Sequence, residues 1–140
     1  MNYLEVEGAR EYVARLEHGN DWRGQIEDFA AEEEIDAAFF MGLGAVKDAE
    51  LLYYDQDDQE YVTEVFDEPL EMTPAIGNIS WLYDDRFAHT HVVLSRKDGS
   101  AVAGHLDTAT TFAGELYVRE FDTELEREHD AVTDLDLWPL

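Results

Sequence analysis

Three of the five histidines fall within one short stretch of the chain: His89, His91 and His105. His89 and His91 are spaced i, i+2, so in a strand both point to one face. The segment that follows carries Lys97-Asp98-Gly99, and Asp-Gly between apolar runs is a hairpin signal. With a three-residue loop and Gly99 in the left-handed conformation, Arg96 pairs with Ser100, and counting along the ladder sets His91 opposite His105. A two-residue loop would slip the register by one and turn His105 away. In the first register three imidazoles converge without any thiolate, a donor set suited to Zn²⁺ or another borderline divalent ion with an open fourth position. Such an ion could activate water or serve as a structural tie. The plainer alternative is three polar side chains on an exposed face, hydrogen-bonded to carboxylates.

Other candidates carry less information. Glu115 and Glu71 lie among strand residues and are possible fourth ligands, with Glu115 a weak candidate for a catalytic base. A cupin reading of His-x-His fails, because Ser95 and Arg96 stand where its glutamate belongs. Gly42-Leu43-Gly44 lacks the remainder of a phosphate loop and reads as a turn or bulge. Ser80, Ser95 and Ser100 lack the Gly-x-Ser-x-Gly setting of a nucleophile. His18 and His129 read as surface residues, and Trp22, Trp81, Trp138 and the Phe39-Phe40 pair as core or interface.

The elements that must position these residues follow from periodicity. Glu11 to Leu16 reads as a strand. Asn20 and Asp21 offer helix caps, and Trp22, Ile26, Phe29 and Ala30 form an apolar helical stripe. The run Glu32-Glu33-Glu34 lies at the helix end disfavoured for anions and reads as surface acidification. Further strands are expected at 37–46, 50–54, 61–66, 71–81 (bent or bulged at Pro74 and Gly77), 89–95, 101–106 and 114–121. The fold class is therefore α+β: one domain over residues 1–140, with a largely antiparallel sheet and one packed helix. The segment 123–140 ends in Leu-Asp-Leu-Trp-Pro-Leu and is expected to pack on the sheet or on a neighbouring subunit.

Composition limits the partners. The 140 residues hold 34 Asp+Glu against 9 Lys+Arg, a formal charge of -25. A monomer of this mass is expected to expose about 7,400 Å², so about one net negative charge falls on every 300 Å². Nine basic residues are too few to coat duplex phosphates or an anionic membrane. No apolar run is long enough to span a bilayer, and the first residues lack the pattern of a secretory leader, which predicts a cytoplasmic protein. With 45% hydrophobic and 12% aromatic residues the chain is expected to fold rather than remain disordered. Only Lys47 and Lys97 are lysine, whereas seven residues are arginine. An acidic, lysine-poor surface is the pattern of salt-in halophiles, whose molar salt shortens the Debye length to about 3 Å.

The order of several short motifs resembles the plant-and-prokaryote-conserved (PPC) domain, found with AT-hooks in plant nuclear proteins and alone in prokaryotes. The matching pieces are His18-Gly19-Asn20-Asp21, Phe40-Met41-Gly42-Leu43-Gly44-Ala45, Pro69-Leu70-Glu71-Met72, Gly77-Asn78-Ile79-Ser80, His89-Thr90-His91-Val92-Val93-Leu94 and Gly104-His105-Leu106, spread over residues 10–122. The resemblance implies a seven- or eight-stranded antiparallel sheet, a homotrimer, and, as in some prokaryotic relatives, zinc on His89, His91 and His105. It also implies an assembly and regulatory module with a protein partner or small ligand. The alternative is a zinc-dependent hydrolase using the same histidines. DNA binding is associated with the family, but the AT-hook is missing: the one Arg-Gly pair, Arg23-Gly24, falls inside the expected helix. A charge of -25 gives little drive toward phosphate. The acidic turn Asp55-Gln56-Asp57-Asp58 has no assigned role.

Overall fold

The computed structural model describes residues 1–140. Its elements are β1 (Gly8–Leu16), α1 (Trp22–Glu32), β2 (Ala38–Val46), β3 (Ala49–Asp55), β4 (Glu60–Phe66), β5 (Leu70–Leu82), β6 (Asp85–Ser95), β7 (Ala101–Thr108), β8 (Thr111–Phe121), β9 (Glu128–Asp130) and β10 (Leu135–Leu137). The first eight strands form one antiparallel sheet in the order β1-β8-β2-β5-β6-β7-β3-β4, and β9 and β10 form a separate hairpin. This is the α+β architecture expected, and its eight-stranded sheet falls within the seven or eight strands anticipated.

Alternation along the strands decides which face is covered. On β6, Ala88, Thr90, Val92 and Leu94 are buried, and they face α1. The helix contributes Trp22, Ile26 and Ala30, all fully buried, and Phe40 and Ile79 complete the centre of the core. Phe29, the fourth member of the expected stripe, is half-buried and packs edge-on against Tyr12. Asp21 caps the helix by accepting from the Gly24 N–H at 2.7 Å, and its other oxygen accepts from the Ala109 N–H at 2.9 Å. One side chain thus starts the helix and ties it to the β7–β8 connection. At the far end the Arg10 guanidinium donates to the Glu33 carbonyl oxygen at 2.7 Å, supplying the cation the glutamate run lacks.

Two bulges bend the sheet: the β2–β5 register shifts between Gly42 and Gly44, and the β5–β6 register between Met72 and Ala75. The centre is tight at Gly77, where a Cβ would come within 2.3 Å of the Phe40 ring and 2.4 Å of the His89 carbonyl oxygen. The strand carrying His89 can therefore lie close to Phe40 only because residue 77 has no side chain.

The opposite face has no helix over it. There a single cross-strand row runs Val13–Tyr117–Met41–Ile76–His91–His105–Leu52–Thr63 through all eight strands. Its apolar half is open, with Val13 87% and Met41 48% exposed. The residues after β8 first run beside the end of β5 and then reach β3 and the β3–β4 turn. Leu125 O accepts from the Trp81 N–H at 2.8 Å and Arg127 N–H donates to Trp81 O at 2.9 Å, while Tyr54 and Gln59 donate to the carbonyls of Thr133 and Val132.

Candidate metal centre

The β6–β7 loop is the three-residue one. Arg96 N–H donates to Ser100 O at 2.8 Å, Gly99 N–H donates to Arg96 O at 2.9 Å, and Gly99 has φ +83°. His91 consequently pairs with His105. Ring centroids are 4.5 Å apart for His89–His105, 5.0 Å for His91–His105 and 5.1 Å for His89–His91. One ring nitrogen from each lies within 4.8 Å of the others, and no carboxylate belongs to the group.

Past this pair the β6–β7 ladder ends. β7 turns to pair with β3 through Leu106 and Thr108, leaving the early part of β6 without a partner on that side. A cavity of about 670 Å³ opens at the split. Arg23 of α1 reaches it across the split and lies against the Phe87 ring at 5.5 Å. Arg127, from the segment after β8, lies against the same ring at 5.8 Å and donates to His89 Nδ1 at 3.2 Å. The β9–β10 hairpin supplies the outer wall through Leu135, Asp136 and Leu137.

Burial sets the protonation of the ligand candidates. Desolvation first, then the neighbouring His105, Arg127 and His91, lower His89 to about 3. Desolvation, with His91, Arg23 and Arg127, lowers His105 to about 4. Phe87 stacked on His89 and Tyr61 tilted on His105 provide the apolar surround. Both rings are neutral at pH 7 and keep a lone pair, the state a metal requires. An arginine has no acceptor, so the His89–Arg127 contact makes Nδ1 the acceptor and puts the ring proton on Nε2. A tetrahedral ion with nitrogen at 2.0–2.1 Å holds its ligands about 3.4 Å apart. The donor set, neutral state and spacing suit a borderline divalent cation after a modest contraction.

Glu115 is not brought to this group. It is exposed on β8, opposite Arg15 and Leu43, and lines a separate hollow with Val13, Met41 and Tyr117. The order β8-β2-β5-β6 puts two strands between it and His89, so it is withdrawn as a base for any chemistry there. Glu71 pairs with Ser95 near the far end of β5 and is likewise remote. His18 and His129 are exposed, as expected; His18 Nδ1 contacts Phe112 O at 2.8 Å. Arg127, Arg23 and Phe87 were not anticipated. Arg127 had one available signal: it is the only arginine or lysine between Phe121 and Leu140.

A chain with this helix, sheet and histidine group defines a single-domain α+β protein with a candidate metal centre. Residues 3–122 match the Plants and Prokaryotes Conserved (PCC) domain, and the chain belongs to that family. Among solved structures, a metal-containing protein of Archaeoglobus fulgidus is 41% identical, with a TM-score of 0.94 over 99% of each chain. A plant- and prokaryote-conserved (PPC) protein of Pyrococcus horikoshii is 27% identical, with a TM-score of 0.94 over 100% of this chain and 98% of that one. A Bacteroides thetaiotaomicron protein proposed to bind DNA is 24% identical, with a TM-score of 0.86 over 95% and 96%, and shows the shared fold. Comparison with curated proteins finds no match. No helix is long and apolar enough to cross a membrane.

Proposed function

We propose that the chain is a cytoplasmic, homotrimeric binding module of a halophile, with zinc held by His89, His91 and His105. The observation that carries the metal is the convergence of three imidazoles, two of them held neutral, with no carboxylate filling the fourth position. The likeness to the metal-containing Archaeoglobus protein supports it. When bound, zinc would supply a Lewis-acidic position open to a ligand. The chain's own residues would orient the rings: Phe87 stacks on His89, Tyr61 tilts on His105, and Arg127 donates to His89 Nδ1 in the metal-free chain. The hydrolase reading is less well supported: no carboxylate joins the histidines, Glu115 lies elsewhere, and Asp136 on the cavity wall accepts from the Tyr83 hydroxyl.

The trimer is supported by surface. The chain exposes 8662 Å², against about 7,400 Å² expected for its mass. Part of that excess comes from the extended residues 1–7, and part from Val13, Met41, Ile76 and Tyr117 on the uncovered face. Direct DNA binding, the association carried by some relatives, is disfavoured by the charge of -25.

The test is metal analysis and sedimentation of untagged protein in molar KCl. One zinc per chain is expected, lost in His105→Ala. A mass three times 16.0 kDa is expected for the wild type and a monomer for Met41→Asp. Fewer than about 0.1 metal per chain with chelator-insensitive melting would refute the metal site. A monomeric wild type would refute the trimer.

A further inference from the structure

We infer that the cavity beneath the C-terminal hairpin receives a small organic carboxylate, whose two oxygens are held by Arg127 beside the metal on the three histidines. This rests on the metal reading above.

Charge accounting singles out Arg127. Arg10, Arg23, Arg86, Arg96 and Arg119 each lie within 4.0 Å of a carboxylate oxygen. Arg15 is exposed to solvent. Arg127 is half-buried, and every acceptor it has is neutral: Ser80 Oγ at 3.0 Å, Asn78 Oδ1 at 2.8 Å, the Asp136 backbone oxygen at 2.9 Å and His89 Nδ1 at 3.2 Å. The chain has 34 carboxylates, yet none is paired with this guanidinium. Asp136 stands next to it but presents its backbone, while its carboxylate accepts from the Tyr83 hydroxyl at 2.8 Å. The Asp136 carboxylate stabilises this half-buried charge from nearby without hydrogen-bonding to it, so the guanidinium's remaining N–H groups stay open to an anion.

Donor accounting gives the shape of that anion. A guanidinium has five N–H hydrogens, and four of Arg127's are used. The fourth bond depends on His89 keeping a free lone pair at Nδ1. If a metal takes Nδ1, the lone pair is gone; if it takes Nε2, the ring proton moves to Nδ1. In either case Arg127 loses that acceptor, and two hydrogens become available. Two hydrogens match the two oxygens of one carboxylate; a phosphate could meet the same two hydrogens, and it is the apolar part of the lining that favours an organic carboxylate. Leu52, Leu82, Tyr54, Leu135 and Leu137 give the cavity an apolar side, Asp134 and Asp136 lie on its hairpin wall, and its volume of about 670 Å³ suits a small molecule.

The test uses benzoate as the carboxylate probe and inorganic phosphate as its rival, in molar KCl, by calorimetry and by tryptophan fluorescence. Trp138 lies 5.7 Å from the Arg127 guanidinium and reports on it. Zinc is titrated first, without either anion. Zinc-loaded wild type is expected to bind benzoate, metal-stripped protein more weakly, and Arg127→Gln at least about tenfold more weakly while still holding zinc. Arg127→Lys keeps the charge but not the paired N–H groups, and should fall between. No benzoate binding by zinc-loaded protein at millimolar concentration, or equal binding by Arg127→Gln, would overturn the inference and leave the metal reading intact. Phosphate binding as tight as benzoate, with the same Arg127 dependence, would overturn the carboxylate assignment. Failure of the zinc titration itself would overturn the metal reading; benzoate binding that Arg127→Gln abolishes in metal-free protein would then preserve the anion site alone.

Discussion

The two faces of the sheet are made from the same strands and treat their side chains in opposite ways. Under α1, Phe40, Ile79, Leu94 and Val118 are wholly buried against Trp22 and Ile26. One residue along from Phe40, Met41 points the other way and is 48% exposed. The covered face is complete within one chain. The other is a row in which apolar residues on β1, β8, β2 and β5 give way, from Ile76 to His91, to the histidines on β6 and β7. The open apolar patch and the histidine group therefore share a border one strand wide. The assembly surface and the metal site proposed above would have a common wall, while the helix side supplies most of the core and reaches the cavity only through Arg23.

The comparison breaks most sharply at neighbouring residues. Phe40→Ala should cost about 3–5 kcal/mol by urea unfolding in molar KCl, at any protein concentration. Met41→Ala should cost under about 1 kcal/mol in dilute protein and show its effect only as concentration, and with it assembly, rises. Equal, concentration-independent losses would mean that the face is not open.

A second effect, in pH rather than in sequence, comes from the histidine end of the row. Above the ordinary histidine value of 6.5, His89 and His105 are neutral in both folded and unfolded chains, and stability is undiminished. Below it the unfolded chain takes up protons that the folded chain refuses until about pH 3 at His89 and about pH 4 at His105. The unfolded state binds more protons across that window, so stability falls as pH falls. Metal-stripped wild type should lose stability more steeply from pH 6.5 to pH 4 than a His89→Gln/His105→Gln variant. Parallel curves would remove desolvation as the cause.

The smallest effect tests the register that brings the faces into this arrangement. Gly99 has φ +83° and open space around its missing Cβ, so Gly99→Ala should cost only the left-handed strain, about 1–2 kcal/mol. Gly99→Asn should cost less. A loss of zinc in either variant that exceeds the loss of stability would show the loop slipping.

The histidine cluster was legible because everything that makes it is local: an i, i+2 spacing, a turn with one left-handed residue, and a count of residues back along two strands. The helix was legible for the same reason, through the Asp21 cap and the stripe from Trp22 to Ala30. Arg127 was not. It reaches Ser80 and Asn78 across 47 and 49 residues of sequence, from a segment whose strands have three residues each and no usable periodicity. Glu115 misled for a related reason: in so acidic a chain a carboxylate on a strand says nothing about which strand lies beside it. The order β8-β2-β5-β6 is set by long-range pairing that no turn announces.

The split between β6 and β7 has a further consequence. It creates a strand edge inside the sheet, where the backbone of β6 has no ladder partner on one side. Exposed edges invite foreign strands, and proteins blunt them with charge. Here the Ala88 N–H on that edge donates to the Glu27 carboxylate of α1 at 3.1 Å, and burial raises the pKa of that carboxyl. The helix thus holds shut, with a single acid, the seam through which the sheet could be extended.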